Sequence, residues 1–162
     1  MSLETVTNSW SADQLDEDGN ILIEGNVDIP QLPNYSTDST AANYAKQDTT
    51  GLENTQIIVN FYGASATGVL AVSCYNFSTD GTNSGSWYLP AAGELCTLRT
   101  NRARINKTLN LLGKGGLPSN LTSSTEGGGA SALATYISDY EYEFAGGWNK
   151  PHNRTVHCYL SI

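Results

Sequence analysis

Charged residues are scarce in this sequence: Asp, Glu, Lys and Arg make up 15% of its 162 residues, against about a quarter in an average globular protein. Basic residues are the rarer kind, since 8 Lys and Arg oppose 16 Asp and Glu, for a formal net charge of −8. No Lys or Arg precedes Lys46. Because binding to a phosphate backbone needs a basic surface, we expect no nucleic-acid partner.

Long apolar runs are also missing. No stretch approaches the roughly 20 apolar residues that a membrane span requires, so we expect no membrane insertion. The first residues, Met1 to Val6, lack the basic and apolar regions of a secretory signal. If the native chain begins at Met1, it is expected not to leave the cell by the general secretory route.

Cysteine is rare, and Cys74, Cys96 and Cys158 form no Cys-x-x-Cys pair. This spacing excludes a zinc knuckle. Three reduced or core thiols are the expected state, as in a protein folded in a reducing cytoplasm. One disulfide with one thiol left over stays open as an alternative.

A calcium loop is suggested by the alternation of Asp16, Asp18 and Asn20, but its later positions do not fit. Such a loop needs Gly at its sixth position and Glu at its twelfth, where this sequence has Ile21 and Val27. The three side chains are therefore predicted to form a turn. No metal and no cofactor is expected.

The sequence does contain two regions of different character. Residues 1–50 combine short strand-like pieces at 21–23 and 27–29 with turn residues, and positions 34–51 are mostly Ser, Thr, Asp, Asn and Ala. Pieces this short cannot bury a core of their own, so they must pair with a partner or lie on the main domain. We predict an acidic N-terminal anchoring arm and linker over 1–50, and a domain over 51–162.

The second region changes from helical to strand patterns along the chain. Two short helices are predicted within 54–75, and a leucine stripe from Leu95 to Leu112 predicts a helix that the pair at 100–101 divides into two. After Pro118 the pattern indicates strands at 133–137, 140–144 and 155–162, with a loop at 146–153. Helices followed by strands predict an α+β fold.

Three motifs occur in order: Trp87-Tyr88-Leu89-Pro90 with Gly93-Glu94-Leu95, then Ile105-Asn106, then Ser123-Ser124-Thr125-Glu126. Together they resemble a bacterial and phage family of C-type-lectin-like domains with WYLPS…EL, IN.AL and WSSTE segments. The resemblance covers about Gly51 to Ile162. It implies a C-type-lectin-like fold, with short helices packed on a small antiparallel sheet behind an extended N-terminal arm. Glu94 and Glu126 are expected to be structural carboxylates, hydrogen-bonding across the helix–strand junction.

Catalysis is not expected. The fold family is similar to that of the formylglycine-generating enzymes, but this chain lacks their paired reactive cysteines near the end. His152 and His157 are the only imidazole bases, and Cys158 is the only nucleophile beside them. The Glu-Pro-Asn, Gln-Pro-Asp and Trp-Asn-Asp signatures of calcium-dependent lectins are also absent. We therefore expect a non-enzymatic protein, while an enzyme of the formylglycine-generating type remains a third hypothesis.

The resemblance favours a phage virion structural protein: a head or tail fibre subunit with a lectin-like head that binds a host-surface glycan or protein. It would be assembled in the host cytoplasm, join other virion proteins through its N-terminal arm, and form a homotrimer. The alternative is a bacterial cell-surface adhesin or pilus-tip domain. Aromatic and adaptable polar residues near the C-terminus form the predicted ligand-binding set. They are Tyr136, Tyr140, Tyr142, Trp148, Asn149, His152 and Asn153.

Overall fold

The computed structural model describes residues 1–36, 44–128, 133–137, 144–150 and 153–161, with helices and small, mostly antiparallel sheets mixed along the chain. This confirms the α+β class. The helices of the described residues are α1 (Gly51–Tyr62), α2 (Leu70–Tyr75), α3 (Ala92–Thr100) and α4 (Arg102–Leu111). The two short helices predicted within 54–75 are thus present, and the leucine-striped helix divides at Asn101 as predicted.

Ten strands are described. They are β1 (Thr5–Ser9), β2 (Gln14–Leu15), β3 (Ile21–Ile23), β4 (Asn34–Ser36), β5 (Trp87–Tyr88), β6 (Leu121–Gly128), β7 (Leu133–Ile137), β8 (Phe144–Asn149), β9 (Asn153–His157) and β10 (Tyr159–Leu160). The largest sheet has the order β4-β6-β7-β8, in which only the β4–β6 pair is parallel. Because β4 belongs to this sheet, the prediction that 34–51 is a linker is wrong over Asn34–Ser36.

Two smaller sheets bring the ends of the chain together. β1 pairs antiparallel with β9, with Thr5 opposite His157, and β5 pairs antiparallel with β10. The Ser2 amide also donates to the Cys158 carbonyl at 2.7 Å. Both chain ends therefore lie against the same part of the domain.

The apolar core has two clusters. The first contains Trp10, Ile29 and Leu32 together with residues of α1, α2 and β5, and the second gathers leucines of α3 and α4 with Leu117 and Leu121. Three residues from before position 50 thus lie in the first cluster. The boundary at 50 stays a prediction, but the residues before it contribute to the main core.

Two predicted elements differ from the structure, and the cause is visible for the first. The piece at 27–29 is not a strand, because the Val27 carbonyl accepts from the Lys150 ammonium and the Ile29 amide donates to the Glu126 carboxylate. The loop predicted at 146–153 begins instead as strand, since β8 continues to Asn149. Of the strand predicted at 140–144, residues 140–143 lie outside the described residues. No helix in the described part is both long and apolar enough to cross a bilayer.

Candidate functional site

The predicted ligand-binding residues that the structure describes lie on neighbouring strands. Tyr136 is in β7, opposite Ala145 of β8, while Trp148 and Asn149 are at the end of β8, opposite Ala134 and Leu133. β8 is an edge strand of the described sheet. Tyr140, Tyr142 and His152 lie outside the described residues.

Asn153 begins β9, and its side chain is exposed. Its Oδ1 accepts a hydrogen bond from the Ser9 hydroxyl at 3.0 Å, and its backbone is opposite Ser9 in the β1–β9 pair. The N-terminal strand therefore positions one member of the predicted ligand-binding set. The structure brings Tyr136, Trp148 and Asn149 together on the β7–β8 pair and places Asn153 four residues beyond Asn149.

Lys150 directly follows the end of β8. Its side chain is fully buried, and its Nζ donates to the Glu126 carboxylate and to the Val27 carbonyl. The same Nζ lies 4.7 Å from the centroid of the Trp10 ring, close enough for a cation–π contact. The Lys150 carbonyl also accepts from the Trp10 amide at 3.0 Å. Both the side chain and the backbone of Lys150 thus tie the end of β8 to the core.

Sequence reasoning did not single out Lys150. The signal that could have found it is its isolation, because it is the only Lys or Arg between Lys114 and Arg154. A lone cation needs a partner when the chain buries it. Here that partner is Glu126, whose own side chain is fully buried.

Burial sets the electrostatics of this pair. Desolvation lowers the pKa of Lys150 and raises that of Glu126, while their mutual hydrogen bond and attraction oppose both shifts. The Ile29 amide also donates to the Glu126 carboxylate at 3.1 Å. Asp28 adds a half-exposed carboxylate 3.8 Å from Lys150 Nζ. The charges are thus compensated inside the fold.

The residues of β6 that carry the resemblance are buried polar residues joined to the rest of the core. The Ser123 carbonyl accepts from Trp10 Nε1 at 2.9 Å, and the Ser124 amide donates to the Pro90 carbonyl at 2.8 Å. The Thr125 hydroxyl accepts from the Ala92 amide at 2.8 Å. Hydrogen bonds therefore link this motif directly to the start of α3.

Asp48 is the second buried acid of this network, and no sequence pattern singled it out. Its Oδ2 accepts from the Thr125 hydroxyl and from Asn54 Nδ2, both at 2.8 Å. Its Oδ1 accepts from the Thr50 amide at 2.9 Å and from the Thr50 hydroxyl at 2.6 Å. Four donors around one carboxylate hold α1, β6 and the segment before α1 in a fixed arrangement.

Glu94 closes the first turn of α3. Its carboxylate accepts from the Ala91 amide at 2.7 Å and from the Tyr88 hydroxyl at 3.0 Å. Burial raises the pKa of Glu94, and it raises that of Tyr88 to about 12. Glu94 thus spans the junction between β5 and α3 as expected, whereas Glu126 bonds to Lys150 and Ile29.

Gly93 lies where α3 approaches the chain around Asp48. A Cβ at this position would be 2.5 Å from the Lys46 carbonyl oxygen and 2.6 Å from that of Asp48. Because both neighbours are backbone atoms, Gly93→Ala is expected to lower the free energy of unfolding by about 2–3 kcal/mol, as overpacking does. Urea unfolding measures the effect. Gly115→Ala, where a Cβ meets nothing within 4 Å, is the control and is expected to change stability by less than about 0.5 kcal/mol. Equal stability of the two variants would contradict the close approach.

An open groove lies next to the second apolar cluster, because Leu109 belongs to both. It has a volume of about 320 Å³ and is lined along α4 by Asn101, Arg104, Ile105, Thr108 and Leu109, with Met1 and Leu3 closing it. Asn153, the predicted ligand-binding residue whose side chain the structure describes, does not line it. Among the described residues, no three His, Cys, Asp or Glu side chains come together as a metal site.

Comparison with protein-family models, with curated proteins and with solved structures found no match.

Two of the three cysteines meet in the first cluster. Cys74 of α2 and Cys158, between β9 and β10, are fully buried, and their Sγ atoms are 2.7 Å apart. Cys96 is partly exposed on α3. Desolvation is the main cause that raises the pKa of the Cys74 thiol. When it is reduced, Cys74 therefore stays a protonated thiol at neutral pH in the folded chain.

His157 is a buried histidine whose protonation is expected to weaken the fold in acid. It is 5% exposed, its Nδ1 is 3.0 Å from the Ser2 carbonyl oxygen, and its Nε2 has no partner among the described residues. Burial lowers the pKa of His157, so the folded chain favours the neutral ring. Its contribution to stability is complete above the unfolded pKa, near 6.5, and is lost as the pH falls from there towards the folded pKa.

We therefore expect the free energy of unfolding to fall between pH 7.5 and pH 5, and to fall less in His157→Gln. Urea titrations of both proteins at several pH values test this. Parallel pH profiles for the two proteins would contradict a role for His157.

Proposed function

We propose that the chain is a non-enzymatic phage virion structural protein, a head or tail fibre subunit with a C-type-lectin-like head that binds a host-surface glycan or protein. The observation that carries the proposal is the way the motifs of the resemblance fit together. Pro90 and Ala92 of the first motif bond to Ser124 and Thr125 of the third, inside one buried network. Motif residues that are shared within a family because they build its core are expected to hydrogen-bond to one another in this way.

The proposed recognition surface is the end of the β7–β8 pair with the segment that follows. Three features support it. Tyr136, Trp148 and Asn149 lie on neighbouring strands, β8 is at an edge of the described sheet, and the buried Lys150 ties the end of β8 to the core. Binding residues that a buried anchor positions lose less entropy when the ligand is bound. Tyr140, Tyr142, His152 and Asn153 complete the proposed set.

The ligand-binding proposal is tested with the double variant Trp148→Ala/Tyr140→Ala. Wild type and variant are applied to a glycan array and to a panel of intact bacterial strains. We expect at least a 30-fold loss of binding, because paired aromatic hot spots each contribute about 2 kcal/mol or more. The matched control is Tyr44→Ala, which removes a 59% exposed tyrosine side chain outside the proposed recognition surface. A fall in the melting temperature of the double variant, with binding retained per folded molecule, would assign both rings to packing.

The location is tested by immunogold labelling of purified phage particles with antibodies against the chain. Labelling on a fibre supports the virion assignment, and labelling confined to the bacterial envelope supports the adhesin. The adhesin is kept as a second candidate because Cys74 and Cys158 are adjacent, and disulfides persist in oxidising compartments outside the cytoplasm. A secretion signal or lipidated cysteine upstream in the parent reading frame would also favour it.

The proposed homotrimer is supported by two surfaces of opposite charge. The β2–β3 hairpin presents Leu15, Ile21 and Leu22, each more than half exposed, beside Glu17 and Asp18. The groove along α4 is apolar at Ile105 and Leu109 and carries Arg104, with Lys107 exposed on the same helix. If the hairpin of one copy binds in the groove of the next copy, the contact is head-to-tail. Such contacts form a closed ring of three copies when the rotation between neighbouring copies closes the ring.

Light scattering after size-exclusion chromatography measures the assembly. Wild type is expected at three times the chain mass. Arg104→Glu should give monomers, and Arg104→Glu with Glu17→Lys should restore part of the trimer. A wild-type monomer at micromolar concentration would contradict the assembly.

A further inference from the structure

We propose that Cys74 and Cys158 are a built-in disulfide pair that joins α2 to the C-terminal strands, with Cys96 left as the free thiol. This goes beyond the proposed function and does not depend on which ligand the domain binds. The observation behind it is the approach of the two buried Sγ atoms to 2.7 Å across 84 residues of sequence.

The backbone at both cysteines is held by contacts other than that between the two sulfur atoms. Cys74 lies near the end of α2, which packs on β1 and β5. Cys158 is fixed on both sides by Ser2, whose amide donates to the Cys158 carbonyl at 2.7 Å and whose hydroxyl accepts from the Cys158 amide at 3.0 Å. These backbone contacts therefore place the two sulfur atoms next to each other before any disulfide bond forms.

The remaining distance is small. A disulfide bond is about 2.05 Å long, so the sulfurs need to move together by less than about 1 Å. Cys96 cannot compete in the folded chain, because it lies on α3 beside the second core cluster, whereas the pair lies in the first. The geometry therefore selects one connectivity of the three that three cysteines allow.

Burial decides when the bond forms. Neither sulfur is accessible in the folded chain, and a protonated thiol is a poor nucleophile. We therefore place formation during folding, or during an opening of the C-terminal strands, with a small-molecule disulfide such as oxidised glutathione as the oxidant. One thiolate attacks this disulfide and releases a thiol, and the second thiolate then displaces the other half as a second thiol. The protein loses two S–H hydrogens, and the small disulfide gains them.

The test uses the full chain, unfolded and refolded in a buffer of oxidised and reduced glutathione. The product is then denatured without reductant, alkylated with iodoacetamide and weighed by mass spectrometry. We expect one alkylated cysteine per chain, mapped to Cys96, and a cross-linked peptide pair containing Cys74 and Cys158. Three alkylated cysteines, or a link that includes Cys96, would overturn the proposal.

A stability measurement gives an independent readout that needs no variant. Because the loop that the bond closes is long, the oxidised chain is expected to melt on the order of 10 °C above the reduced chain. Cys96→Ser should keep this difference and Cys74→Ala should abolish it. Should Cys74→Ala fail to fold, the oxidised and reduced wild-type chains still decide the matter. Equal melting temperatures for two samples shown by mass to differ in oxidation would contradict a bond built into the native geometry.

Discussion

Replacing Lys150 with methionine is expected to lower the free energy of unfolding by about 3–5 kcal/mol, because the Glu126 carboxylate would stay buried without its counter-charge. Lys150 and Glu126 are both 0% exposed, and the Val27 carbonyl would lose its donor as well. Urea unfolding at pH 7 measures the loss. Glu126→Gln is expected to be destabilising for the same reason, since it leaves the buried ammonium with only the half-exposed Asp28 carboxylate as a counter-charge.

The double variant Glu126→Leu/Lys150→Met removes both charges at once. It therefore distinguishes the free-energy cost of leaving one buried charge without a partner from the net contribution of the ion pair to stability. Removing both charges is expected to be much less harmful than the sum of the two single changes, so that the coupling energy amounts to several kcal/mol. Lys114→Met is the matched control, because Lys114 faces Glu4 at 3.9 Å on the surface. Such exposed pairs contribute about 0–1 kcal/mol. Equal effects of Lys150→Met and Lys114→Met would contradict the buried anchor.

Replacing Trp10 with alanine is expected to destabilise the chain by about 3–5 kcal/mol, as large-to-small changes of buried aromatic residues do. The side chain is 1% exposed, contacts Lys150 through its ring, and donates from Nε1 to the Ser123 carbonyl at 2.9 Å. Trp10→Phe keeps most of the volume and leaves that carbonyl without its donor, for an expected loss of about 1–3 kcal/mol. Thermal and urea unfolding report both.

The control for Trp10 comes from the same N-terminal region. Tyr44 is 59% exposed, so Tyr44→Ala is expected to change stability by less than about 0.5 kcal/mol. If Trp10→Ala were as harmless as Tyr44→Ala, residues before 50 would be an arm that the domain does not need. The expected contrast instead makes the N-terminal residues part of the folding unit.

The sequence predicted best the elements whose signal is local. The leucine stripe and the break at Asn101 depend on side-chain periodicity, and both are found as α3 and α4. The pairing of β1 with β9 links residues about 150 positions apart, and no local pattern in Thr5–Ser9 indicates it. Residues 27–29 are strand-like in type. Their backbone groups instead hydrogen-bond to the side chains of Lys150 and Glu126, which are distant in the sequence.

The candidate site also has some features that the sequence predicted and others that it did not. Its aromatic and polar composition was visible from residue types, and the backbone places Tyr136 and Trp148 on neighbouring strands. The anchor beneath it was not predictable, because Lys150, Glu126 and Trp10 become neighbours only through tertiary structure. Asp48 illustrates the same limit, since its donors come from Thr50, Asn54 and Thr125.

The clasp that Ser2 makes with Cys158 has a practical consequence for engineering. Since β1 pairs with β9 and Ser2 bonds to Cys158, residues near both ends of the chain lie side by side, so the whole domain can be inserted through a single short opening in the loop of a host protein, as adjacent ends permit. A short peptide could equally join the two ends and move the opening to an exposed turn such as Gly81, where the same fold would begin and finish at a new point.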